Sequence, residues 1–428
     1  MAKREIKAAL LGLGTVGSGV YKLVHMQEPE MESKLGSTLQ IKKVLVRNLE
    51  KAASKVEDPS VLTNSWQEIL DDPEIELVIE VMGGIEPAGT YIRQALSSGR
   101  HVVTANKDLI AEQGLELTRL AQENEVDLLF EAAVAGGIPI IDPLKNSLSA
   151  NHITEIMGIV NGTTNFILTK MTEEGMDFGP ALEMAQQLGY AEADPTADVE
   201  GLDAGRKVAI MATLAFHTPV TFRDVYTEGI SSISSKDIAS ASEIGRKIKL
   251  IGVAKETSGG VEVRVHPMMI PAEHPLANVS GSFNAVFVHG DAVDDVMFYG
   301  RGAGEMPTAS AIMGDVFAAA KTLTRGMKGS TMDPCYRNLP IKKPEDMVSR
   351  YYLRMSVDDK PGVLATLASV LGNNGVSIQQ LVQKVRKEDS AEIMLVTDLV
   401  KEYHLKDALL TFRAMSIVRS EPVVIRVL

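Results

Sequence analysis

At 428 residues, with 45% apolar and 23% charged side chains, the chain has the composition of an ordinary globular protein with room for two or three domains, which excludes wholesale disorder. Its formal charge of −13, from 43 basic and 56 acidic residues, leaves no basic block to neutralise phosphates and argues against a nucleic-acid partner. A single cysteine, Cys335, excludes an intrachain disulfide framework, and no apolar run approaches the ~20 residues that span a bilayer, so a cytoplasmic enzyme of small metabolites is expected, with no membrane contact.

The first strand is predicted at Ile6–Leu11. It runs into Gly12-Leu13-Gly14-Thr15-Val16-Gly17 and then a helix to about Gln27. A lone GxGxxG is a weak signal, but strand, tight turn and helix start are the context it requires. Glycines there let the backbone approach a pyrophosphate, whose charge meets free N–H groups at the helix N-terminus. The alternative is a glycine turn without a ligand. Residues 28–40 read as an inserted loop before a strand at Ile41–Arg47. Where an NAD site usually places an acidic residue on the ribose, Arg47 stands, followed by Lys51 and Lys55. That charge favours a 2′-phosphate, hence NADP over NAD; the alternative is a solvated strand end.

Strands at Glu76–Met82 and His101–Thr104, separated by a helix from Glu86 to Ser98, continue a parallel array. The second ends at Ala105-Asn106-Lys107, and ligands of doubly wound sheets collect outside such carboxyl ends, which places Lys107 toward the nicotinamide or substrate. A helix from Leu109 to Glu123 and a strand at Asp127–Glu131 complete the array. The small-residue segment from Ala132 to Pro139 marks a boundary and reads as an interdomain hinge.

Beyond it, a strand at Ile153–Val160 leads through Asn161-Gly162-Thr163-Thr164-Asn165 into a helix to about Glu174, and another helix covers Ala181–Leu188. The acidic run Gly189-Tyr190-Ala191-Glu192-Ala193-Asp194-Pro195, with Asp198 and Glu200, precedes a helix predicted over Gly201–Phe216. On that helix Asp203 and Lys207 share one face, and nearly everything after Lys207 is apolar, so the pair is expected where a buried helix meets a cleft. The bland alternative is a solvated i,i+4 ion pair. Strands at Val261–Met268, Ala285–His289 and Val296–Tyr299 suggest a second, partly open sheet. The loop Gly300-Arg301-Gly302-Ala303-Gly304 and a helix at Thr308–Leu323, packing back on the first domain, follow. After a linker at 326–349, the pattern of strands and helices is βαββαβ, a ferredoxin-like unit.

These motifs together, GLGTVG, Thr104-Ala105-Asn106-Lys107, Asn161 to Asn165, Gly189 to Pro195, Gly201-Leu202-Asp203 with Lys207, and Gly300 to Gly304, strongly resemble homoserine dehydrogenase over residues 6 to about 325. The last unit, with Asp359-Lys360-Pro361-Gly362-Val363-Leu364, resembles an ACT regulatory domain. The fold expected is α/β: a Rossmann-like dinucleotide domain (1–138), an α+β substrate and dimerisation domain (139–325), the linker, and the ACT unit (350–428).

The resemblance implies reversible reduction of L-aspartate 4-semialdehyde to L-homoserine with NADP, or NAD. Gly12, Gly14, Thr15, Val16, Gly17, Arg47, Thr104, Lys107, Gly162 and Gly302 would hold the cofactor. Glu192, Asp203 and Lys107 would hold the substrate, and Lys207 with Asp203 would move the proton. Asp194 and Asp198 stay open as partners of the substrate ammonium. The resemblance further implies a monovalent cation, sodium, on Glu131 and the carbonyls of Val134, Gly136 and Ile138, L-threonine as effector, and a homo-oligomer of at least two chains. Threonine would bind between two ACT units near Asp359 to Gly362 and Gln379-Gln380; the alternative is that the unit only dimerises. A competing reading of the whole chain is a catalytically silent nucleotide- and amino-acid-binding regulator. The sole thiol lies in the linker, which disfavours an acyl-enzyme aldehyde dehydrogenase.

Overall fold

A computed structural model describes residues 4–385 and 389–428. The first region contains β1 (Arg4–Leu11), α1 (Thr15–Met26), α2 (Glu28–Leu35), β2 (Ser37–Leu45), α3 (Leu49–Ala53), β3 (Leu62–Thr63), α4 (Trp66–Leu70), β4 (Ile75–Glu80), α5 (Ala88–Ser97), β5 (His101–Thr104), α6 (Lys107–Glu123) and β6 (Leu128–Leu129). The six strands form a parallel sheet in the order β3-β2-β1-β4-β5-β6. The order reverses direction beside β1, which makes a crevice outside the β1 and β4 carboxyl ends. Residues 28–40 are not the expected loop. Pro29 in the first turn and left-handed Gly36 just past the end delimit α2, and Met31 buries its apolar side.

The middle of the chain forms β7 (Ile153–Ile159), α7 (Gly162–Glu174), α8 (Phe178–Gln187), α9 (Thr196–Val199), α10 (Leu202–Phe216), β8 (Tyr226–Thr227), α11 (Ser235–Glu243), β9 (Arg246–Thr257), β10 (Gly260–Pro271), β11 (Phe283–Gly290), β12 (Asp294–Arg301) and α12 (Glu305–Thr324). α12 returns to the first sheet. Its Ile312, Met313 and Val316 share a core with Ile6, Leu10, Val20 and Tyr21. Contact with α1 is so close that a Cβ at Gly19 would lie 2.8 Å from the Glu305 carbonyl oxygen.

The C-terminal region, β13 (Val348–Asp358), α13 (Val363–Asn373), β14 (Ile378–Val385), β15 (Ser390–Thr397), β16 (Val400–Lys401), α14 (Glu402–Ala414) and β17 (Val423–Val427), has the expected βαββαβ order with the two-residue β16 added before α14. Its sheet is not separate. β17 pairs with β10 through Met268 to Arg426 and Met269 to Val427, which joins middle and C-terminal strands in one eleven-stranded sheet, nine in the order β12-β11-β7-β9-β10-β17-β13-β15-β14 with β8 added on β10 and β16 on β13. Arg354 seals the join from the C-terminal side. Its Nε and Nη2 donate at 3.0 and 2.7 Å to Asp237 of α11, a carboxylate that is 1% exposed. The segment at 326–349 is likewise pinned: Gly329 N donates to the Glu125 carbonyl, and Val261 bridges Ile341.

Candidate active site

Helix α10 owes its position to the sequence around its start. Gly201, at φ +78°, turns the chain in a left-handed conformation that other residues resist, and α10 then runs through a stretch in which nearly every side chain is buried. Asp203 and Lys207 are 7% and 9% exposed, so they are not the solvated pair that their spacing alone allows. Lys207 Nζ donates at 2.7 Å to Asp203 Oδ2 and at 2.7 Å to the Val160 carbonyl at the end of β7. From the other side, Lys107 Nζ approaches Asp203 Oδ1 at 3.1 Å. The first turn of α6 and the first turn of α10, 96 residues apart in the chain, thus meet on one carboxylate. Burial alone would raise the pKa of Asp203; Lys207 and Lys107 reverse that and hold it well below the usual carboxylate range. Asp203 in turn raises the pKa of Lys107.

Asn161 completes the cluster. Its Nδ2 donates to Asp203 Oδ2 at 2.9 Å and Asp198 Oδ1 at 2.6 Å, while its Oδ1 caps α7 at Thr164 N. Burial raises the pKa of Asp198, against that hydrogen bond. Sequence reading placed Asn161 in a polar turn and missed this bridge. The only signal was an N-cap residue preceding a helix.

These groups lie in a cavity of about 1000 Å³ between the two sheets. Val16, Lys107, Gly136, Gly162, Glu192, Asp203, Lys207 and Gly302 line it, as do Asp194 and Asp198. Glu192 and Asp194 are exposed. Asp194 Oδ1 is occupied by the backbone N and hydroxyl of Thr196, whereas Glu192 makes no ion pair among the described residues. Gly12, Gly14, Thr15, Gly17, Arg47 and Thr104 are not in that lining. The glycine turn is built as its motif demands: Gly12 has φ +102°, a Cβ at Gly17 would lie 2.2 Å from the Gly12 carbonyl oxygen, and one at Gly14 would meet nothing within 4 Å. Lys55 Nζ donates at 3.0 Å to the Leu13 carbonyl in this turn, and Arg47 is exposed just beyond β2. Thr104 is fully buried with its hydroxyl on Glu80 Oε2 at 2.6 Å, which leaves its main chain for any contact with a cofactor.

Gly302 has a stringent reason to be glycine. A Cβ there would lie 2.2 Å from Cγ of Asn284, a buried residue whose side-chain oxygen and nitrogen find no partner among the described residues. Opposite it, a Cβ at Gly136 would lie 2.4 Å from the Gly302 carbonyl oxygen, and Gly137 N donates to the Arg301 carbonyl. Segments 136–137 and 301–303 are therefore clamped together rather than hinged.

Glu131 is 7% exposed, and its carboxylate accepts the backbone N–H groups of Ile140 and Ile141 on Oε1 (2.5 and 2.7 Å) and of Asp142 on Oε2 (2.7 Å). Among the described residues no backbone hydrogen bond falls on the carbonyls of Val134, Gly136 or Ile138. A carboxylate and backbone carbonyls are the oxygen types that a hard cation takes. The single thiol, Cys335, is pushed up to about 11 by burial and the nearby Asp333. No described helix is long and apolar enough to cross a membrane.

Comparison with known proteins agrees with this layout. A family model for the homoserine dehydrogenase NAD-binding domain matches residues 12–131, one for homoserine dehydrogenase matches 139–317, and one for the ACT domain matches 351–413. The homoserine dehydrogenase of Synechocystis is 46% identical over 432 residues, 99% of each chain. The crystal structure of a homoserine dehydrogenase from Thiobacillus denitrificans superposes with a TM-score of 0.95 at 41% identity, covering 99% of this chain and 98% of that one. A hyperthermophilic archaeal homoserine dehydrogenase in complex with NADPH covers 74% of this chain and 97% of its own, with a TM-score of 0.64 and 27% identity. The three models follow one another along the chain and the relatives match it from end to end, so the chain belongs to the homoserine dehydrogenase family.

Proposed function

We propose that this chain interconverts L-aspartate 4-semialdehyde and L-homoserine, with Lys207 as proton donor to the oxygen of the reduced aldehyde. The observation that carries this assignment is Asp203 buried between Lys107 and Lys207 at the edge of the interdomain cavity. A reduced nicotinamide supplies the hydride when bound. As the carbonyl carbon gains it, the oxygen becomes an alkoxide and needs a proton. A lysine ammonium has three N–H groups; Asp203 and the Val160 carbonyl engage two on Lys207, leaving one for that oxygen. Asp203 keeps the amine oriented. In the reverse direction the same nitrogen takes the hydroxyl proton.

Lys107 lies on the cavity side of Asp203 and serves to hold the substrate's reacting end against the cofactor. Glu192, whose carboxylate makes no ion pair among the described residues, is the partner we assign to the substrate ammonium, ahead of Asp194 and Asp198, which are engaged by Thr196 and Asn161. Glu131 with the Val134, Gly136 and Ile138 carbonyls would hold a monovalent cation, sodium, and thereby steady the segment that faces Gly302. Arg47, with Lys51 and Lys55 beside the glycine turn, supports NADP over NAD, in line with the NADPH named for the archaeal relative. The ACT unit supports L-threonine as effector, the chain working as a homo-oligomer, and the lone cysteine supports a cytoplasmic setting.

Absorbance of the reduced nicotinamide with homoserine and NADP tests the reaction. Absence of turnover with either cofactor would leave the silent regulator. Arg47→Ala is expected to weaken NADP by about tenfold while barely changing NAD, and equal losses would remove the 2′-phosphate assignment.

A further inference from the structure

Both anchors of the Lys207 ammonium pass through one residue. The Val160 carbonyl, which accepts from Lys207 Nζ at 2.7 Å, belongs to the peptide that joins Val160 to Asn161. Asp203 Oδ2, which accepts from the same nitrogen at 2.7 Å, also accepts from Asn161 Nδ2 at 2.9 Å. Asn161 itself is 5% exposed and held at the extended N-cap of α7, where its Oδ1 accepts from Thr164 N and from the Thr164 hydroxyl, each at 2.9 Å. A backbone N–H can only donate, so the amide oxygen faces Thr164 and the amide nitrogen faces the carboxylates. Of the two N–H groups on that nitrogen, one goes to Asp203 and the other to Asp198 Oδ1 at 2.6 Å.

The charges around this amide do not by themselves give the ammonium a direction. Lys107 of α6 takes the other oxygen of Asp203, Oδ1, at 3.1 Å, and Asp198 of α9 is a second anion on the same cavity wall. Beyond them Arg206 Nε pairs with Asp108 Oδ1 at 2.7 Å. An ammonium is a compact charge on a flexible stem, which Coulomb attraction holds in place without orienting its three N–H groups. Hydrogen bonds to acceptors in fixed positions supply the orientation.

We infer that Asn161 is a positioning residue for the proton transfer: holding Asp203 Oδ2 by its amide and the Val160 carbonyl by its peptide link, it aims the remaining N–H of Lys207 at the substrate oxygen. The same amide ties Asp198 and Asp203 to one nitrogen, so that neither carboxylate turns to capture that N–H. This role rests on Lys207 as the proton donor.

Two substitutions in the full chain keep the helix cap and remove the bridge. Asn161→Ser supplies an oxygen for Thr164 N but no donor that reaches both carboxylates. Asn161→Asp keeps cap and length and sets an anionic oxygen between Asp198 and Asp203. Crowded by two like charges, the introduced carboxyl takes up a proton above the usual carboxylate range, and once protonated it donates to one of them. Steady-state absorbance of the reduced nicotinamide is expected to show kcat of Asn161→Ser about tenfold or more below the parent at about pH 9. For Asn161→Asp the deficit is expected to be about a hundredfold at about pH 9 and to narrow at least about fivefold by about pH 6. Cofactor Kd, read by quenching of reduced-cofactor fluorescence, stays within about threefold for both. A kcat within about threefold of the parent for Asn161→Ser, an Asn161→Asp deficit that does not change with pH, or a cofactor Kd that rises in step with the loss of kcat would each overturn the positioning role and leave the reaction assigned to the parent standing. Absence of turnover in the parent would instead strike that reaction, and this role with it.

Discussion

Replacing Lys207 separates its chemical role from its structural one. Lys207→Met removes one of two cations from a carboxylate that is 7% exposed, leaving Asp203 with Lys107 at 3.1 Å and Asn161 at 2.9 Å. Breaking a buried ion pair costs about 3–5 kcal/mol. The two remaining partners place this substitution near the lower end, about 3 kcal/mol. Lys207→Arg keeps the charge but does not give up a proton near neutral pH, since a guanidinium titrates above about 12. Loss of a positioned proton donor costs about 10²–10⁴ in rate. Both variants are therefore expected to lose at least about a hundredfold in kcat, whereas only Met loses much stability, and cofactor Kd stays within about threefold for both. Steady-state absorbance, quenching of reduced-cofactor fluorescence and chemical denaturation measure the three quantities. A Lys207→Arg enzyme within tenfold of the parent kcat would refute proton donation by Lys207.

Three further expectations come from separate parts of the structure. Gly302→Ala sets a methyl 2.2 Å from Asn284 Cγ, so the loop must move and cofactor affinity should fall by about tenfold. Adding Asn284→Ala removes the obstacle and should restore much of the loss in the same titration; no rescue would mean that the collision is not the cause. Lys249, 4% exposed and held by Asn165 and the Val279 carbonyl, has its pKa lowered by burial to about 8. Because the folded value lies below the unfolded one, the cost of the buried charge is full below pH 8 and is relieved as pH rises toward 10.5. Unfolding free energies should thus show the parent gaining up to about 3 kcal/mol on Lys249→Met over that interval, and a constant difference would contradict it. Arg354→Met leaves the buried Asp237 carboxylate with Ser234 on Oδ2 but without its cation, and should cost about 3 kcal/mol in the same assay; a loss below about 0.5 kcal/mol would show that the join does not depend on this pair.

Much of the nucleotide-binding half was legible because its signals are local. A strand, three glycines at fixed spacing and a helix follow one another within residues 4–26, and each imposes its conformation without distant help. The 28–40 segment was misread although its helix signals, Pro29 and Gly36, stood at the two ends; a low apolar content obscured them. β9 was missed for a different reason. Lysines at 247, 249 and 255 and Gly252 interrupt its apolar run, and Lys249 is tolerated inside only because Asn165 and a carbonyl from other elements receive it.

The order of motifs and the shared face of Asp203 and Lys207 are properties of the chain itself, since helical periodicity places residues four apart side by side. Whether that pair is buried, that Lys107 arrives on the same carboxylate from 96 residues earlier, and that β17 closes against β10 were decided by the packing of the two sheets. No short-range pattern encodes these contacts, because the ends they join are brought together only when distant apolar faces leave water at the same time.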